Sequence, residues 1–215
     1  MVETLFSFAL ATIALALSPG PDNIYVLTQS LTNGVKSGIA TTAGLISGCI
    51  VHTSLLAFGV SAIITTSETL FFGIKLLGAF YLFYLAFKVF KSDSTIVLQK
   101  EGDTVGAFLS AEEDPKKSYW SLYKTGVIMN LVNPKVMIFF LAFFPAFIWE
   151  PEGNTVYQFY VLGITFMVVS FMVFSSITLL AGAISSYIKQ YSSIGLILKW
   201  LQIIVFVGIG VFILI

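Results

Sequence analysis

The sequence predicts an all-α integral membrane protein of about six transmembrane helices. Two observations support this prediction. The chain of 215 residues is 57% hydrophobic and only 10% charged, whereas soluble domains carry roughly 25% charged residues. Its hydrophobic residues also fall into long runs, and a helix needs about 20 such residues to cross a bilayer. Beside these spans, little of the chain is left for a separate catalytic domain.

The hydrophobic runs follow one another with mostly short connections. They are residues 5–31, 39–64, 70–89, 123–148, 156–180 and 194–215. The one long connection, residues 91–118, mixes Asp and Glu with Lys and is predicted to be a solvated charged loop. The predicted organisation is a three-helix unit at 1–90, this loop, and a second three-helix unit at 119–215. The first run is expected to be an uncleaved span, because its leading segment carries Glu3 and no basic residue, unlike a signal peptide.

Proline motifs interrupt the first and the fourth run. Proline lacks the amide hydrogen that a helix requires, and it disfavours helical geometry in the residue before it. Unpaired backbone groups persist at membrane depth only where protein or water lines them. Each motif therefore predicts an unwound point that faces a cavity. The motifs are Ser18-Pro19-Gly20-Pro21-Asp22-Asn23 and Asn133-Pro134-Lys135.

The two breaks occupy corresponding places in the two units. Pro19 followed by residues 24–27 parallels Pro134 followed by 138–141, and Lys75 opens the third span as Lys199 opens the sixth. Because each unit has an odd number of spans, the second enters the membrane upside down relative to the first. The sequence thus predicts two inverted three-helix repeats, with helices one and four broken and a transport site between the units.

The distribution of lysines predicts the orientation in the membrane. Lysines accumulate in cytoplasmic connections. The connections on the opposite side carry glutamates and no lysine. Both termini are therefore predicted to lie outside, and the loop 91–118 in the cytoplasm. The lysines that follow spans one, three and five are Lys36, Lys88, Lys91, Lys100, Lys116, Lys117 and Lys189.

The charges at the breaks suit a zwitterion such as an amino acid. Asp22 and Lys135 supply opposite charges, and the half-helix that opens at Pro21 offers an N-terminus suited to an anion. Two structural alternatives stay open: Asp22 acts as a helix cap, or Asp22 and Lys135 form an ion pair that locks the halves together. The candidate substrate-binding residues are Pro19, Gly20, Pro21, Asp22, Asn23, Asn130, Asn133, Pro134 and Lys135.

The second span carries Ala40, Gly44, Gly48 and His52 at four-residue spacing, which places them on one helical face. Gly44 and Gly48 are predicted to allow close helix packing. His52 is the single histidine of the chain. It is interpreted either as a carrier of the coupling proton together with Asp22 or as a hydrogen-bonding residue that holds helices together.

Three groups of residues follow one another along the chain in a recognisable pattern. They are residues 18–23 with Asn33-Gly34, Gly38, Gly44, Gly48 and His52; residues 75–82; and Asn130-Leu131-Val132-Asn133-Pro134-Lys135 with residues 139–145. These motifs resemble those of the LysE-type translocators and, more narrowly, of the RhtB (homoserine/threonine resistance) group. The resemblance covers the full length, and the motifs keep their order and spacing. Two departures are Lys36, which stands where relatives often carry arginine, and the long loop, which is more acidic than the family pattern suggests.

The resemblance implies an exporter of amino acids in a bacterial inner membrane, driven by the proton gradient. The expected partners are a neutral or small polar amino acid such as homoserine, threonine or leucine, protons as the coupling ion, and membrane lipid, and a homodimer is kept open. The alternative is an exporter of a basic amino acid, a cation or another small solute. A net-neutral substrate is favoured, because Asp22 is the one acid that the sequence places inside the membrane.

Other classes of function are disfavoured. The formal net charge is zero and every basic residue is lysine, so nucleic acid is not an expected partner. No Cys/His cluster predicts a metal site, no cofactor is expected, and Cys49, the one cysteine, cannot form an internal disulfide. The chain is not expected to be an enzyme, because it has neither a Gly-x-Ser-x-Gly elbow nor a His-Glu-x-x-His motif. A purely structural subunit would not need two charged breaks.

Overall fold

The computed structural model of the protein describes residues 1–18, 20–91, 118–184 and 194–214. Within these ranges the chain is helical and contains no β-strand. Pro19 and nearly all of the predicted charged loop, residues 92–117, lie outside the described residues. The predicted cytoplasmic position of that loop therefore stays a prediction.

The described α-helices are numbered here in chain order. A π-helical segment, Leu56–Val60, joins α3 to α4, and a 3-10 turn, Phe144–Phe147, follows α7. The sequence did not predict the π-helical segment. The helices are α1 (Val2–Leu17), α2 (Pro21–Asn33), α3 (Val35–Leu55), α4 (Ser61–Thr66), α5 (Glu68–Lys91), α6 (Tyr119–Val132), α7 (Pro134–Phe143), α8 (Thr155–Leu179) and α9 (Ile194–Leu214).

Several of these helices are long and apolar enough to cross a membrane. Three unbroken spans meet that condition among the described residues: Val35–Ile63, Thr69–Lys91 and Thr155–Leu179. The bent pairs, α1 with α2 and α6 with α7, meet it when each pair is taken together, which gives up to five spans, and Lys199–Leu214 of α9 is a shorter apolar helix. The predicted fold class, an all-α membrane protein, is confirmed. The inverted arrangement of two repeats stays a prediction.

Both proline motifs bend the chain sharply. The angle between α1 and α2 is 63°, and the angle at the second break is 58°. Ser18 and Asn133, the residues that precede the prolines, have extended backbones with ψ of 122° and 104°. This geometry follows from the steric restriction that a proline places on the residue before it. Gly20 is also extended, and α2 begins at Pro21, where a missing N–H costs nothing.

The first half of each broken helix packs against a helix from the other part of the chain. α6 packs along α3 in the most extensive helix contact of the described chain, while α1 packs against α8. Each first half-helix therefore lies on the middle helix of the other predicted three-helix unit. α5 and α9 pack against each other, and α3 also contacts α8. This arrangement surrounds the two breaks with helices from both units.

Glycines set the close approach of α3 and α6. A Cβ atom at Gly44 would collide with the backbone carbonyl of Tyr123, and one at Gly48 would lie 2.6 Å from Oδ1 of Asn130. On the facing helix, a Cβ at Gly126 would lie 2.5 Å from a carbonyl oxygen of α3. The glycine stripe seen in the sequence thus faces α6, which carries a matching glycine of its own.

An aromatic cluster holds α7 against its neighbours. Phe8 of α1 stacks on Phe143 with 5.1 Å between ring centroids, and Phe140 stacks on Phe144 at 4.3 Å. Phe166 of α8 meets Phe140 edge-on at 4.9 Å. Such ring pairs contribute roughly 0.5–1.5 kcal/mol each beyond the burial of their area. The aromatic cluster comprises Phe8, Phe139, Phe140, Phe143, Phe144, Phe147 and Phe166.

We expect Gly44→Ala to lower the free energy of unfolding by about 1–3 kcal/mol, the usual cost of overpacking. The added methyl group meets backbone, which cannot rotate aside, so α3 and α6 have to separate. Unfolding of the purified protein in detergent, by heat or by sodium dodecyl sulfate, measures the loss. Gly208→Ala is the matched control, because a Cβ there has nothing within 4 Å. Equal stability of the two variants would contradict the packing argument.

Candidate functional site

The two breaks touch each other directly. Nδ2 of Asn133, in the second break, donates hydrogen bonds to both carboxylate oxygens of Asp22, in the first, at 3.4 and 3.5 Å. The two residues are 111 positions apart in the chain. These bonds are longer than the usual 2.7–3.2 Å. This contact between Asn133 and Asp22 is therefore a weak one.

A cavity opens at this contact and is lined by all the long helices of the described chain. Its volume is about 70 Å³, well above the roughly 10–15 Å³ that a cavity needs to hold one water molecule. Its polar lining is Ser18, Gly20, Asp22, Asn23, Cys49, Asn130, Asn133 and Ser170. The rest of the lining is almost wholly apolar and includes Leu45, Leu82, Leu85, Phe139, Phe166, Phe174 and Phe206.

Side chains repair the backbone at the first break. Nδ2 of Asn23 reaches back to the carbonyl of Ala16 at 2.8 Å. The carbonyl of Gly20 accepts the N–H of Ile24 at 3.1 Å, as in a regular helix start. Asp22 lies in the first turn of α2, where the helix dipole stabilises a negative charge. The break therefore holds a carboxylate at the cavity without leaving the carbonyl of Ala16 unpaired.

At the second break, His52 supplies a hydrogen-bond donor to the backbone. Pro134 removes the N–H that the carbonyl of Asn130 would receive in a continuous helix. That carbonyl accepts the N–H of Asn133 at 3.2 Å and lies 3.3 Å from Nε2 of His52. Because a carbonyl only accepts, Nε2 carries the hydrogen in this contact. His52 is buried, and its ring is 5.4 Å from that of Phe140.

Three buried polar atoms of the cavity lining have no hydrogen-bond partner among the described residues. They are Oγ of Ser18, Oδ1 of Asn130 and Oγ of Ser170. The amide nitrogen of Asn130 donates to Sγ of Cys49 at 3.6 Å, which leaves its oxygen for another donor. Unpaired buried polar groups are rare in folded proteins and cost roughly 1–3 kcal/mol each. The cavity therefore presents three buried hydrogen-bonding atoms that the described protein does not satisfy.

The structure brings most of the predicted site residues together. His52 contacts Asn130 but is not among the described residues that line the cavity, and Gly44 and Gly48 lie at the contact of α3 with α6. Pro19 and the side chains of Pro134 and Lys135 lie outside the described part of the structure, so their roles stay predictions. The predicted residues that line the cavity are Gly20, Pro21, Asp22, Asn23, Asn130 and Asn133.

Three polar lining residues, Ser18, Cys49 and Ser170, were not predicted as site residues, although Ser18 opens the first proline motif. Cys49 lies next to the glycine stripe in a hydrophobic run, and nothing in the sequence distinguishes it from core. Ser170 offers one signal: it is the single polar residue between Phe166 and Phe174. Among the described residues, no group of three His, Cys, Asp or Glu side chains is placed to hold a metal.

The fold and the site define a multi-pass membrane protein with a largely apolar cavity at the meeting point of two broken helices. The model of the LysE type translocator family matches residues 13–215. Leucine efflux proteins of Salmonella choleraesuis, Salmonella paratyphi A and Salmonella typhimurium are each 30% identical over 197 residues, which is 90% of this chain and 88% of each relative. No solved structure gives a significant match. The chain belongs to the LysE type translocator family.

We expect Asn23→Ala to lower the free energy of unfolding by about 1–3 kcal/mol, because the carbonyl of Ala16 loses its donor in a buried place. Unfolding in detergent measures the change. Ser176→Ala is the control: its exposed hydroxyl donates to the carbonyl of Met172 in an unbroken helix, so its loss should cost about 0.5 kcal/mol or less. Equal losses in the two variants would show that Asn23 does not support the break.

Proposed function

We propose that this protein is a secondary transporter that exports neutral amino acids, small polar or aliphatic, from the cytoplasm. The observation that carries the proposal is the meeting of the two breaks at one cavity, where Asp22 accepts from Asn133. Broken helices that face each other across a central site are typical of secondary transporters. The relatives named as leucine efflux proteins support an amino acid as substrate and export as the direction.

The lining suits a substrate with one ammonium and one carboxylate group. Asp22 is the one acidic side chain among the described lining residues, so it can balance a single ammonium group. The Oδ1 atom of Asn130 adds a neutral acceptor for the same group. For the carboxylate, we propose Lys135 and the positive dipole end of α7, which begins at Pro134. The apolar lining then receives the side chain of the substrate.

The proposed driving force is the proton gradient. A proton and a substrate ammonium group compete for the same carboxylate, because protonated Asp22 no longer carries the charge that binds the ammonium. A proton that arrives from outside would therefore release the substrate there. His52 is the second proton-coupling group of the proposal. It acts on the cavity through Asn130, whose carbonyl it contacts.

The proposed placement is a bacterial inner membrane, with both termini outside and residues 91–118 in the cytoplasm. The proposed architecture is two inverted repeats, residues 1–90 and 119–215. It is supported by the similar bends of 63° and 58° and by the reciprocal packing of α1 on α8 and α6 on α3. In that arrangement, the cavity lies at the interface of the repeats.

We expect Asp22→Asn to reduce export at least tenfold, because a charged hydrogen bond to the ammonium group contributes about 1.5–3 kcal/mol. The variant keeps the size of the side chain. Cells that overproduce the protein are fed mixed dipeptides, and every amino acid in the medium is quantified by mass spectrometry. Glu3→Gln, an acid-to-amide change at an exposed position, is the matched control and should export normally. Elution as a single peak in detergent verifies that each variant is folded.

Each outcome of this assay has a distinct meaning. A rise of leucine, threonine or another neutral amino acid with the unmodified protein alone supports the proposal. A rise of lysine or another basic amino acid favours the alternative, an exporter of cationic substrates. No rise at all moves the function to another small solute. Full export by Asp22→Asn would remove Asp22 from the site.

We expect His52→Gln to change the pH dependence of export before it changes the choice of substrate. Glutamine can still donate to the carbonyl of Asn130 but does not titrate, whereas free histidine titrates near pH ~6.5. The measurement is the initial rate of transport in membrane vesicles between pH 5.5 and 7.5, a range that extends about one pH unit on either side of the pKa of free histidine. An unchanged profile would take His52 out of the coupling path and leave it as a structural donor.

A further inference from the structure

Ser170 is set apart from the other polar residues of the cavity. Most of them belong to a break or to the helical turn beside it, and Cys49 accepts a hydrogen bond from Asn130. Ser170 lies instead in the middle of α8, in an unbroken helix. Its hydroxyl has no hydrogen-bond partner among the described residues. The breaks therefore account for the other polar side chains but not for this one.

The surroundings of Ser170 are apolar. Phe166 and Phe174 lie one turn before and one turn after it on the same face of α8, and all three residues line the cavity. The residue is 1% exposed, so solvent outside the protein does not satisfy its hydroxyl. Leu82 of α5 and Phe206 of α9 add further apolar lining. Ser170 thus places one hydrogen-bonding group in a wall that is otherwise fit for an aliphatic side chain.

We propose that Ser170 is a specificity-determining residue that hydrogen-bonds a hydroxyl group in the side chain of the substrate. This inference rests on the proposed function. All amino acids share the ammonium and carboxylate groups that the breaks would hold, so only the remaining wall can tell one side chain from another. A serine hydroxyl both donates and accepts, and it rotates freely. The cavity would therefore accept short hydroxylated side chains as well as aliphatic ones.

The test compares threonine with valine, which differ by a hydroxyl in place of a methyl group. Inside-out membrane vesicles that contain the full chain take up radiolabelled leucine, and the two amino acids compete for uptake. We expect Ser170→Ala to raise the inhibition constant of threonine relative to that of valine by about two- to tenfold, which corresponds to the loss of one hydrogen bond. Ser170→Cys, close in shape but a weak hydrogen-bonding group, should change the ratio in the same direction.

Ser175→Ala is the matched control. Ser175 lies on the same helix, and its hydroxyl is also buried without a partner among the described residues, but it does not line the cavity. Its substitution should leave the ratio of the two inhibition constants unchanged. If Ser175→Ala raised the inhibition constant of threonine relative to that of valine as much as Ser170→Ala does, the inference would be overturned.

The remaining outcomes separate this inference from the proposed function. An unchanged ratio of the two inhibition constants in Ser170→Ala would overturn the role of Ser170. So would a lack of competition by threonine in the unmodified protein. In both cases, leucine uptake would leave the exporter proposal standing. No leucine uptake by the unmodified protein would instead contradict the exporter proposal, and the inference on Ser170 would fall with it.

Discussion

The structure depends on one constraint: backbone groups that two proline motifs release inside a membrane need new hydrogen-bond partners. At the first break, Asn23 returns to the carbonyl of Ala16. At the second, the carbonyl of Asn130 is met by the N–H of Asn133 and by Nε2 of His52. The first break is thus satisfied by a side chain of the same broken helix, and the second by a backbone group of its own helix and a side chain of another. Because these partners satisfy the breaks, the chain can keep two unwound points beside the cavity.

The close contact of α3 with α6 allows His52 to reach the backbone of the second break. His52 reaches Asn130 only because the two helices approach closely, and the approach requires Gly44 and Gly48 on one side and Gly126 on the other. Gly48 lies one turn before His52 and makes room for the side chain of Asn130. The glycines that pack against α6 and the histidine that meets Asn130 thus share one face of α3. A change that separates the helices should disturb stability and the cavity together.

Different contacts hold the different parts of the broken helices. The first half of each broken helix packs along the middle helix of the other unit. The half-helix α7 is held instead by the aromatic cluster, in which Phe139 and Phe166 also line the cavity. Tightly packed rings resist gradual deformation. Part of the apolar wall of the cavity is therefore also part of this packed cluster, while the groups that would bind charge lie at the unwound segments.

The sequence by itself determined the membrane class, the position of both breaks and six of the residues that line the cavity, among them Asp22 and Asn133. These features are local, since hydropathy and proline chemistry act within a few residues of the chain. Only the tertiary structure decided that Asn133 donates to Asp22, that His52 meets the carbonyl of Asn130, and that Ser170 lines the cavity. Those contacts join helices far apart in sequence, and their partners depend on how the helices cross and rotate, which no local pattern specifies.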